Sequence, residues 1–300
     1  MHTLCNDYGK IWNNAIDGGV KYFQAYPNLK SCIIGLSGGI DSALSAVLAR
    51  AVCDKLERTG RIISLYGYSI PILTNEKDEL SRASSAGFGH CHHFTEVTGD
   101  KAVMDLIRPI DNSLHYAFFV DKNDKDLPHD VKIRIGNIKA RYRMMYLYDK
   151  AYKNKGIVLS TDNYTEYLLG FWTLHGDVGD FGFMQELWKT EIYGLAKWKG
   201  QMVSDGVLLE TVDAKPTDGL GVSDSDLSQL LPGWTGSYRA GYEFIDKLLI
   251  AYVDGDSYIS AGGDTFQVDM LMNHAVLKRH FATEFKRTNP FNLERKDLIT

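Results

Sequence analysis

Short apolar runs alternate with helical patterns over the first two thirds of the chain. The runs are rich in β-branched and aromatic residues and predict buried strands at residues 31–36, 62–69, 91–97 and 157–160. Helical patterns lie at residues 41–55, 75–86, 136–153 and 190–199. This alternation is typical of an α/β protein, so we predict a doubly wound parallel sheet with helices on both faces and right-handed crossovers.

Both ends of the chain are also predicted to be helical. In residues 1–30, Trp12, Ile16 and Phe23 share one side of a helix that ends before Pro27. Further helices are predicted at residues 242–253 and 268–287. We expect a single domain over residues 1–300, with an N-terminal helix in 1–30, a flexible flap at 203–232, and a C-terminal helix and tail at 268–300.

The first strand runs into the sequence Ser-Gly-Gly-Ile-Asp-Ser at residues 37–42, and a helix follows at once. The two glycines allow an anion to approach the main chain, and the helix N-terminus favours phosphate. Asp41 would repel phosphate unless Mg²⁺ bridges the two groups. An ordinary turn in which Asp41 or Ser42 caps the helix is the alternative.

Polar residues also follow the strand at 157–160. Thr161, Asp162 and Glu166 come after it, and in a parallel sheet ligands bind beyond the carboxyl ends of strands. Glu166 is suited to complete a Mg²⁺ shell with Asp41; the alternative is that the polar residues cap a helix beginning near Glu166. Arg141, on the predicted helix at 136–153, fits a phosphate or a carboxylate, and a solvated basic helix face is its alternative.

Composition narrows the functional classes. Hydrophobic residues make up 44% and charged residues 24%, as in ordinary globular proteins, and the net charge of −5 argues against a dedicated nucleic-acid binder. The four cysteines form no Cys-x-x-Cys pair, so we expect neither a disulfide framework nor a zinc site, and a reduced cytoplasmic setting. We expect no membrane span or signal peptide, since the apolar runs are short.

The loop at 37–42 resembles the PP-loop of ATP pyrophosphatases, which cleave ATP between its α- and β-phosphates. Further motifs make most of the chain similar to the NAD+ synthetases that use ammonia. They are Gly136-Asn137-Ile138-Lys139-Ala140-Arg141, Ser160-Thr161-Asp162-Asn163, Gly176-Asp177-Val178-Gly179, Lys189, Pro216-Thr217-Asp218 and Glu284-Phe285-Lys286-Arg287. The resemblance implies a fold of the adenine nucleotide alpha hydrolase type.

The resemblance implies a two-step reaction. The nicotinate carboxylate of deamido-NAD+ attacks the α-phosphate of ATP, which gives an adenylate and pyrophosphate, and ammonia then displaces AMP to form NAD+. ATP is the co-substrate, and Asp41 and Glu166 would hold Mg²⁺. The residues implied to bind ATP are Gly35, Leu36, Ser37, Gly38, Gly39, Ile40, Asp41, Ser42, Thr161, Lys189 and Thr217. Those implied to bind deamido-NAD+ are Asn137, Arg141, Asp180 and Lys286, and the catalytic residues are Asp41, Asp177 and Lys189, with Asp177 steering or deprotonating ammonium.

Three departures from the family pattern fall on the dinucleotide side. Leu174 stands where a lysine is usual, Val178 replaces a glycine in a loop that is one residue shorter, and Phe285 replaces a histidine. The resemblance further implies a homodimer that binds the dinucleotide near the subunit interface. We find no glutaminase pattern, so we expect free ammonia or delivery by a separate glutaminase.

Two other functions compete with this interpretation. One is another PP-loop ligase that adenylates a different carboxylate or a tRNA base, which the basic residues near the C-terminus favour. The other is a non-catalytic nucleotide-binding relative, which the departures at Leu174 and Phe285 favour. The intact Asp41, Glu166 and Lys189 argue against a mere binding protein.

Overall fold

The central feature is a parallel sheet whose strands carry the predicted apolar runs. The structure, a computed structural model, describes residues 3–72, 76–120, 127–217, 220, 222, 225–256, 258–261, 264–295 and 298. The strands are β1 Ser31–Gly35, β2 Ser64–Ser69, β3 His93–Glu96, β4 Gly156–Ser160 and β5 Phe181–Gly182, in the spatial order β3-β2-β1-β4-β5. All neighbouring pairs are parallel, which confirms the predicted doubly wound sheet.

The helices connect these strands and continue beyond the sheet. They are α1 Tyr8–Ala25, α2 Ile40–Glu57, α3 Lys77–His90, α4 Asp100–Ile110, α5 Asn112–Val120, α6 His129–Lys153, α7 Tyr164–Leu169, α8 Lys189–Val203, α9 Gly206–Asp213, α10 Asp226–Leu230, α11 Tyr238–Asp254, α12 Ala275–Ala282 and α13 Glu284–Arg287. A two-stranded antiparallel hairpin, β6 Tyr258–Ala261 and β7 Asp264–Gln267, follows α11. The sequence patterns did not predict α4, α5 or this hairpin.

Side chains of β1 alternate between two apolar layers. Cys32 and Ile34 face the large core cluster that contains residues of α1, α2 and α8, whereas Ile33 packs with Leu147 of α6 and Val158 of β4. This alternation is the period of two that a strand imposes on its side chains. The sheet is therefore covered on both faces, as predicted.

The strand order shows which edge of the sheet is suited to bind a ligand. β1 lies between β2 and β4, so the chain leaves β1 toward one side and returns to its other side at β4. In open parallel sheets such a switch point forms a crevice at the carboxyl ends of the two strands. The loop at 37–42 and the polar residues after Ser160 meet at this edge.

Two segments differ in detail from their predicted form. Residues 203–232, expected as a flexible flap, contain α9 and α10; Asp218 lies outside the described residues, and the flexibility of the flap stays a prediction. The predicted helix at 268–287 is divided into a 3₁₀ turn at Asp269–Leu271 and the helices α12 and α13. The proposed boundaries at 1–30, 203–232 and 268–300 likewise stay predictions.

None of the helices in the described part of the chain combines the length and the apolar character that crossing a bilayer requires.

Candidate active site

The glycine loop after β1 has the backbone geometry of an anion site. Gly38 has φ +84°, and a Cβ atom at this position would lie 2.1 Å from the carbonyl oxygen of Glu79, so only glycine fits. Gly39 is the N-cap of α2 and offers no side-chain cap. Neither Asp41 nor Ser42 caps the helix, contrary to the alternative of an ordinary capped turn. The first N–H groups of α2 therefore keep the capacity to bind an anion.

Two serine hydroxyl groups shape this loop from within. The hydroxyl of Ser42 donates to the carbonyl oxygen of Gly39 over 3.1 Å and accepts from the N–H of Ser37 over 3.3 Å. The N–H of Gly39 donates to the hydroxyl of Ser37 over 3.2 Å. These contacts fix the conformation of the loop.

A charged cluster lies beside the loop. The ammonium group of Lys189, at the first position of α8, donates to the carboxylates of Asp41 and Glu166, with an Nζ–Oε1 distance of 3.0 Å to Glu166. The amide of Asn163 donates to Asp41 over 3.0 Å. Lys189 has 4% of its side chain exposed, against 18% for Asp41 and 19% for Glu166. The ammonium thus closes the inner side of the cluster, and the carboxylates face the opening.

Burial shifts the protonation of these groups. Burial raises the pKa of the Glu166 carboxyl above its usual range, against the opposing effect of the Lys189 ammonium. Burial alone would lower the pKa of Lys189, but the carboxylates of Asp41 and Glu166 outweigh it and hold this pKa well above its usual range. Lys189 is therefore charged, and a further cation would stabilise the ionised carboxylates.

A second acidic pair lies next to the cluster. Burial, together with the nearby Asp177, raises the pKa of Asp162 to about 7. Burial also raises the pKa of Asp177, whose Oδ1 accepts a hydrogen bond from the N–H of Thr173 over 2.6 Å. Raised carboxyl pKa values of this kind are common at sites that bind cations or move protons.

Asp246 of α11 positions the cluster from behind, and the sequence analysis missed it. Its carboxylate accepts from the Thr165 hydroxyl over 2.5 Å and from the Thr190 N–H over 2.8 Å, and the Thr165 hydroxyl accepts from the N–H of Lys189 over 2.9 Å. Asp246 is fully buried, and burial raises its pKa to about 6. One signal was available: an acidic residue on the apolar face of a predicted helix.

The loop and the charged cluster open into one cavity of about 450 Å³. Thirteen of the predicted site residues line it: Gly35, Leu36, Ser37, Gly39, Ile40, Asp41, Ser42, Thr161, Glu166, Asp177, Lys189, Thr217 and Lys286. The hydroxyl of Thr217 donates to the carboxylate of Glu79 on α3, so the segment after α9 contacts the wall that holds Gly38. A cavity of this size accommodates a nucleotide-sized ligand.

The residues predicted to bind deamido-NAD+ are more widely spread than those predicted to bind ATP, and of the four only Lys286 lines the cavity. Asn137 accepts from the hydroxyl of Thr173 over 2.8 Å, which connects it to the Asp177 loop. The ammonium of Lys286 donates to the carbonyl oxygens of Gly170 and Trp172 over 2.7 and 2.6 Å. Lys286 therefore holds the loop that follows α7 as well as lining the cavity.

Arg141 and Asp180 lie outside the cavity walls. Arg141 is exposed and donates to the carbonyl oxygen of Leu174 over 3.2 Å, at one of the three departures from the family pattern. Asp180, also exposed, accepts from the N–H of Val158 over 3.0 Å and from the hydroxyl of Tyr148 over 2.9 Å. Their role in binding a dinucleotide stays a prediction.

Comparison with known proteins identifies relatives over nearly the whole chain. A family model described as NAD synthase matches residues 11–290. An NH3-dependent NAD+ synthetase of Finegoldia magna is 29% identical over 94% of this chain and 95% of its own length. A glutamine-dependent NAD+ synthetase of Acinetobacter baylyi is 31% identical over 75% of this chain, which spans only 37% of that longer protein.

A solved structure supports the same fold. The NMN synthetase from Francisella tularensis superimposes with a TM-score of 0.69 at 22% identity, over 96% of this chain and 99% of that one. At this level of identity the similarity concerns the fold alone.

Proposed function

We propose that the cavity at the β1–β4 switch point is the active site of this chain, which belongs to the NAD synthase family. The enzyme is a ligase that amidates deamido-NAD+ to NAD+ with ATP and ammonia and releases AMP and pyrophosphate. The observation that carries the proposal is the glycine loop next to the Asp41–Glu166–Lys189 cluster in one cavity. A phosphate site beside a cation site is what cleavage of ATP requires.

ATP would bind along the loop. The free N–H groups of α2 and the hydroxyl group of Ser37 are donors for its phosphates, and Thr161 and Thr217 line the same cavity. The hydroxyl group of Ser42 would become a further donor on exchanging its bond to the carbonyl oxygen of Gly39. In the first step a carboxylate oxygen of deamido-NAD+ forms a bond to the α-phosphorus. The bond from this phosphorus to the bridging oxygen breaks, and pyrophosphate leaves with the electron pair. The protein contributes by positioning and by neutralising charge.

Asp41 and Glu166 fit a Mg²⁺ ion. Their carboxylate oxygens are hard donors, both lie within hydrogen-bond distance of one ammonium group, and their exposed sides face the cavity. The described residues form no cluster of three or more His, Cys, Asp or Glu ligands. Mg²⁺ is usually bound by one or two carboxylates and takes its remaining ligands from water and phosphate. Bound there, Mg²⁺ would neutralise phosphate charge.

Ammonia would enter near Asp177. Its carboxyl group is partly buried, lines the cavity, and has a pKa raised by burial, which suits it to attract ammonium and to accept a proton. In the second step the nitrogen lone pair attacks the carbonyl carbon of the adenylate. AMP leaves with the electron pair of the broken C–O bond, and the amide nitrogen loses its extra proton to the base.

The dinucleotide would extend from the cavity toward Arg141 and Asp180, and we propose that a second subunit lies there. Tyr148 contacts Asp180, Tyr152 is 92% exposed on the same side of α6, and β5 is the edge strand. A groove lined by Tyr22, Tyr26 and Phe181 continues this apolar surface onto α1. An exposed apolar face of this kind is typical of subunit contacts, which supports a homodimer.

The family assignment favours the synthetase over a tRNA-modifying ligase, and the complete charged cluster favours it over a non-catalytic binder. Free ammonia, or ammonia from a separate glutaminase, would be the nitrogen donor. We also propose a cytoplasmic location, because all four cysteines are free thiols.

One further substrate has specific support. Arg141 and Asp180 lie outside the cavity, and all three departures from the family pattern fall on the dinucleotide side. Nicotinate mononucleotide carries the same reacting carboxylate and needs no contact to a second nucleotide. A solved structure of an NMN synthetase shares this fold. Amidation of the mononucleotide is therefore our second candidate function.

The experiment is an incubation with ATP, Mg²⁺, ammonium and either deamido-NAD+ or nicotinate mononucleotide, with products measured by mass spectrometry. We expect NAD+, AMP and pyrophosphate in equal amounts from the dinucleotide, at a higher kcat/KM than the mononucleotide gives. A higher kcat/KM for the mononucleotide would establish the second candidate. No pyrophosphate with either acceptor would contradict both.

A further inference from the structure

The charged cluster cannot by itself balance the triphosphate of ATP. With both carboxylates ionised, Asp41, Glu166 and Lys189 together carry one net negative charge, and the Lys189 ammonium is already in contact with two carboxylates. When pyrophosphate leaves, negative charge grows at the end of ATP farthest from the acceptor. Mg²⁺ bound at Asp41 and Glu166 would offset only part of the triphosphate charge, and a further cationic donor near the loop would stabilise the rest.

Most of the other basic side chains on the cavity wall are engaged elsewhere. Arg143 donates to the carbonyl oxygen of Ile70 over 3.1 Å, and Arg279 donates to that of Leu169 over 2.9 Å. Lys286 donates to two carbonyl oxygens of the loop after α7. Lys215 lines the cavity but is exposed, so its ammonium keeps its water.

Arg82 of α3 also donates to a backbone carbonyl oxygen, but this oxygen belongs to the glycine loop itself. Arg82 is half-buried, lines the cavity, and its Nε donates to the carbonyl oxygen of Gly38 over 2.9 Å. Within the described residues, its two terminal nitrogens have no hydrogen-bond partner and no carboxylate pairs with it. The guanidinium is thus fixed by one edge against the phosphate loop, with two donor groups left over.

The wall that carries Arg82 is itself fixed to the loop. The carbonyl oxygen of Glu79 lies so close to Gly38 that a Cβ atom there would be 2.1 Å away. One turn later on α3 stands Arg82, so the helix and the loop cannot move apart without breaking both contacts. This rigidity preorganises the guanidinium relative to the bound phosphates.

We propose that Arg82 binds the β- and γ-phosphates of ATP and holds pyrophosphate as it leaves. The inference rests on the proposed function for the identity of the nucleotide. A guanidinium anchored by Nε presents its terminal N–H groups side by side, which matches two phosphate oxygens. AMP, which lacks these phosphates, would not contact Arg82.

Equilibrium titration in the absence of an acceptor tests the proposal. We expect Arg82→Gln to weaken the binding of Mg²⁺-ATP and of pyrophosphate roughly 10- to 100-fold, the range of a charged hydrogen bond. AMP affinity should change less than about 2-fold. The matched control is Arg58→Gln at the far end of α2, about 27 Å along the helix from the loop, which removes the same charge. Lys215→Gln should weaken the binding of Mg²⁺-ATP and pyrophosphate less than Arg82→Gln does.

Two results would overturn the assignment. Unchanged affinities for ATP and pyrophosphate in Arg82→Gln would show that Arg82 does not bind the phosphates. Equal losses for ATP and AMP would show that it only braces the loop. A second measurement uses the unaltered protein, so that misfolding of a variant does not matter. ATP and pyrophosphate, but not AMP, should protect Arg82 from modification by phenylglyoxal, and absence of protection would contradict the proposal.

The outcomes are separable from the proposed function. If the unaltered protein forms NAD+ but Arg82→Gln binds ATP and pyrophosphate normally, the synthetase function stands and only the role of Arg82 is contradicted. In the opposite case, Arg82→Gln loses affinity for ATP and pyrophosphate, but the unaltered protein forms no NAD+. Arg82 would then still be a phosphate-binding residue, and deamido-NAD+ would not be the acceptor.

Discussion

The hydroxyl group of Thr165 donates a hydrogen bond to the buried carboxylate of Asp246 over 2.5 Å, and the same hydroxyl accepts from the backbone N–H of Lys189. This relationship joins three helices behind the charged cluster, since Thr165 lies on α7, Lys189 on α8 and Asp246 on α11. The positions of Glu166 and Lys189 relative to each other therefore depend on a residue that does not touch the cavity.

Asp246→Ala should lower both stability and turnover. It leaves the Thr165 hydroxyl and the Thr190 N–H without their acceptor, at a cost of about 3 kcal/mol in the free energy of unfolding. We expect kcat to fall more than KM changes, because Lys189 and Glu166 lose their alignment. Denaturant unfolding and steady-state kinetics measure the two effects, with Glu243→Gln on an exposed part of α11 as the control. An unchanged kcat would contradict the positioning role.

The same residue predicts a pH dependence of stability. Burial raises the pKa of Asp246 from its usual 3.8 to about 6, so the folded state binds the proton more tightly than the unfolded state. Its contribution is fully present below pH 3.8 and is lost as the pH rises through 6, by about 3 kcal/mol in all. Relative to Asp246→Asn, the unaltered protein should lose this stability across that window. A constant difference between the two proteins would contradict the assignment.

Gly38 and Gly60 offer a matched pair for the loop. Both have positive φ, +84° and +82°, but a Cβ atom at Gly38 would collide with Glu79, whereas at Gly60 nothing lies within 4 Å. Gly60→Ala should cost about 1–2 kcal/mol of stability and leave ATP binding intact. Gly38→Ala should displace the loop and abolish ATP binding. Normal ATP affinity in Gly38→Ala would show that the close contact with α3 is not required.

Asp41→Asn tests the proposed metal role. It removes an anionic ligand and one partner of Lys189, so we expect turnover to fall roughly 100-fold or more and Mg²⁺-ATP to bind more weakly. Asp54→Asn, farther along α2 at a surface pair with Arg50, is the control and should retain activity. Near-normal pyrophosphate release by Asp41→Asn would show that Asp41 is not a metal ligand.

The sheet and the loop were accessible from the sequence because they depend on local patterns. β1 and β4 are short β-branched runs, β2 contains Leu65, Tyr66 and Tyr68, and the Ser-Gly-Gly sequence needs no distant partner to indicate its turn. The fold and the family followed from these patterns and their order. The two-residue strand β5 is too short to produce a pattern of its own.

The contacts of the supporting residues were not accessible from the sequence, since they join distant parts of the chain. Asp246 meets Thr165 across 81 residues, and Arg82 meets Gly38 across 44. The break near Thr283 has a similar origin: Arg279 and Lys286 on either side of it donate to carbonyl oxygens of Leu169 and Gly170. Local propensity carries no information about such partners.

The central claim is that the chain activates the carboxylate of deamido-NAD+ as an adenylate before ammonia attacks. Deamido-NAD+ labelled with ¹⁸O in both oxygens of the nicotinate carboxylate tests it directly, with ATP, Mg²⁺ and ammonium present. The account predicts NAD+ with one ¹⁸O and AMP with one ¹⁸O in its phosphate, in equal amounts. Label in pyrophosphate or inorganic phosphate, or AMP without label, would contradict it.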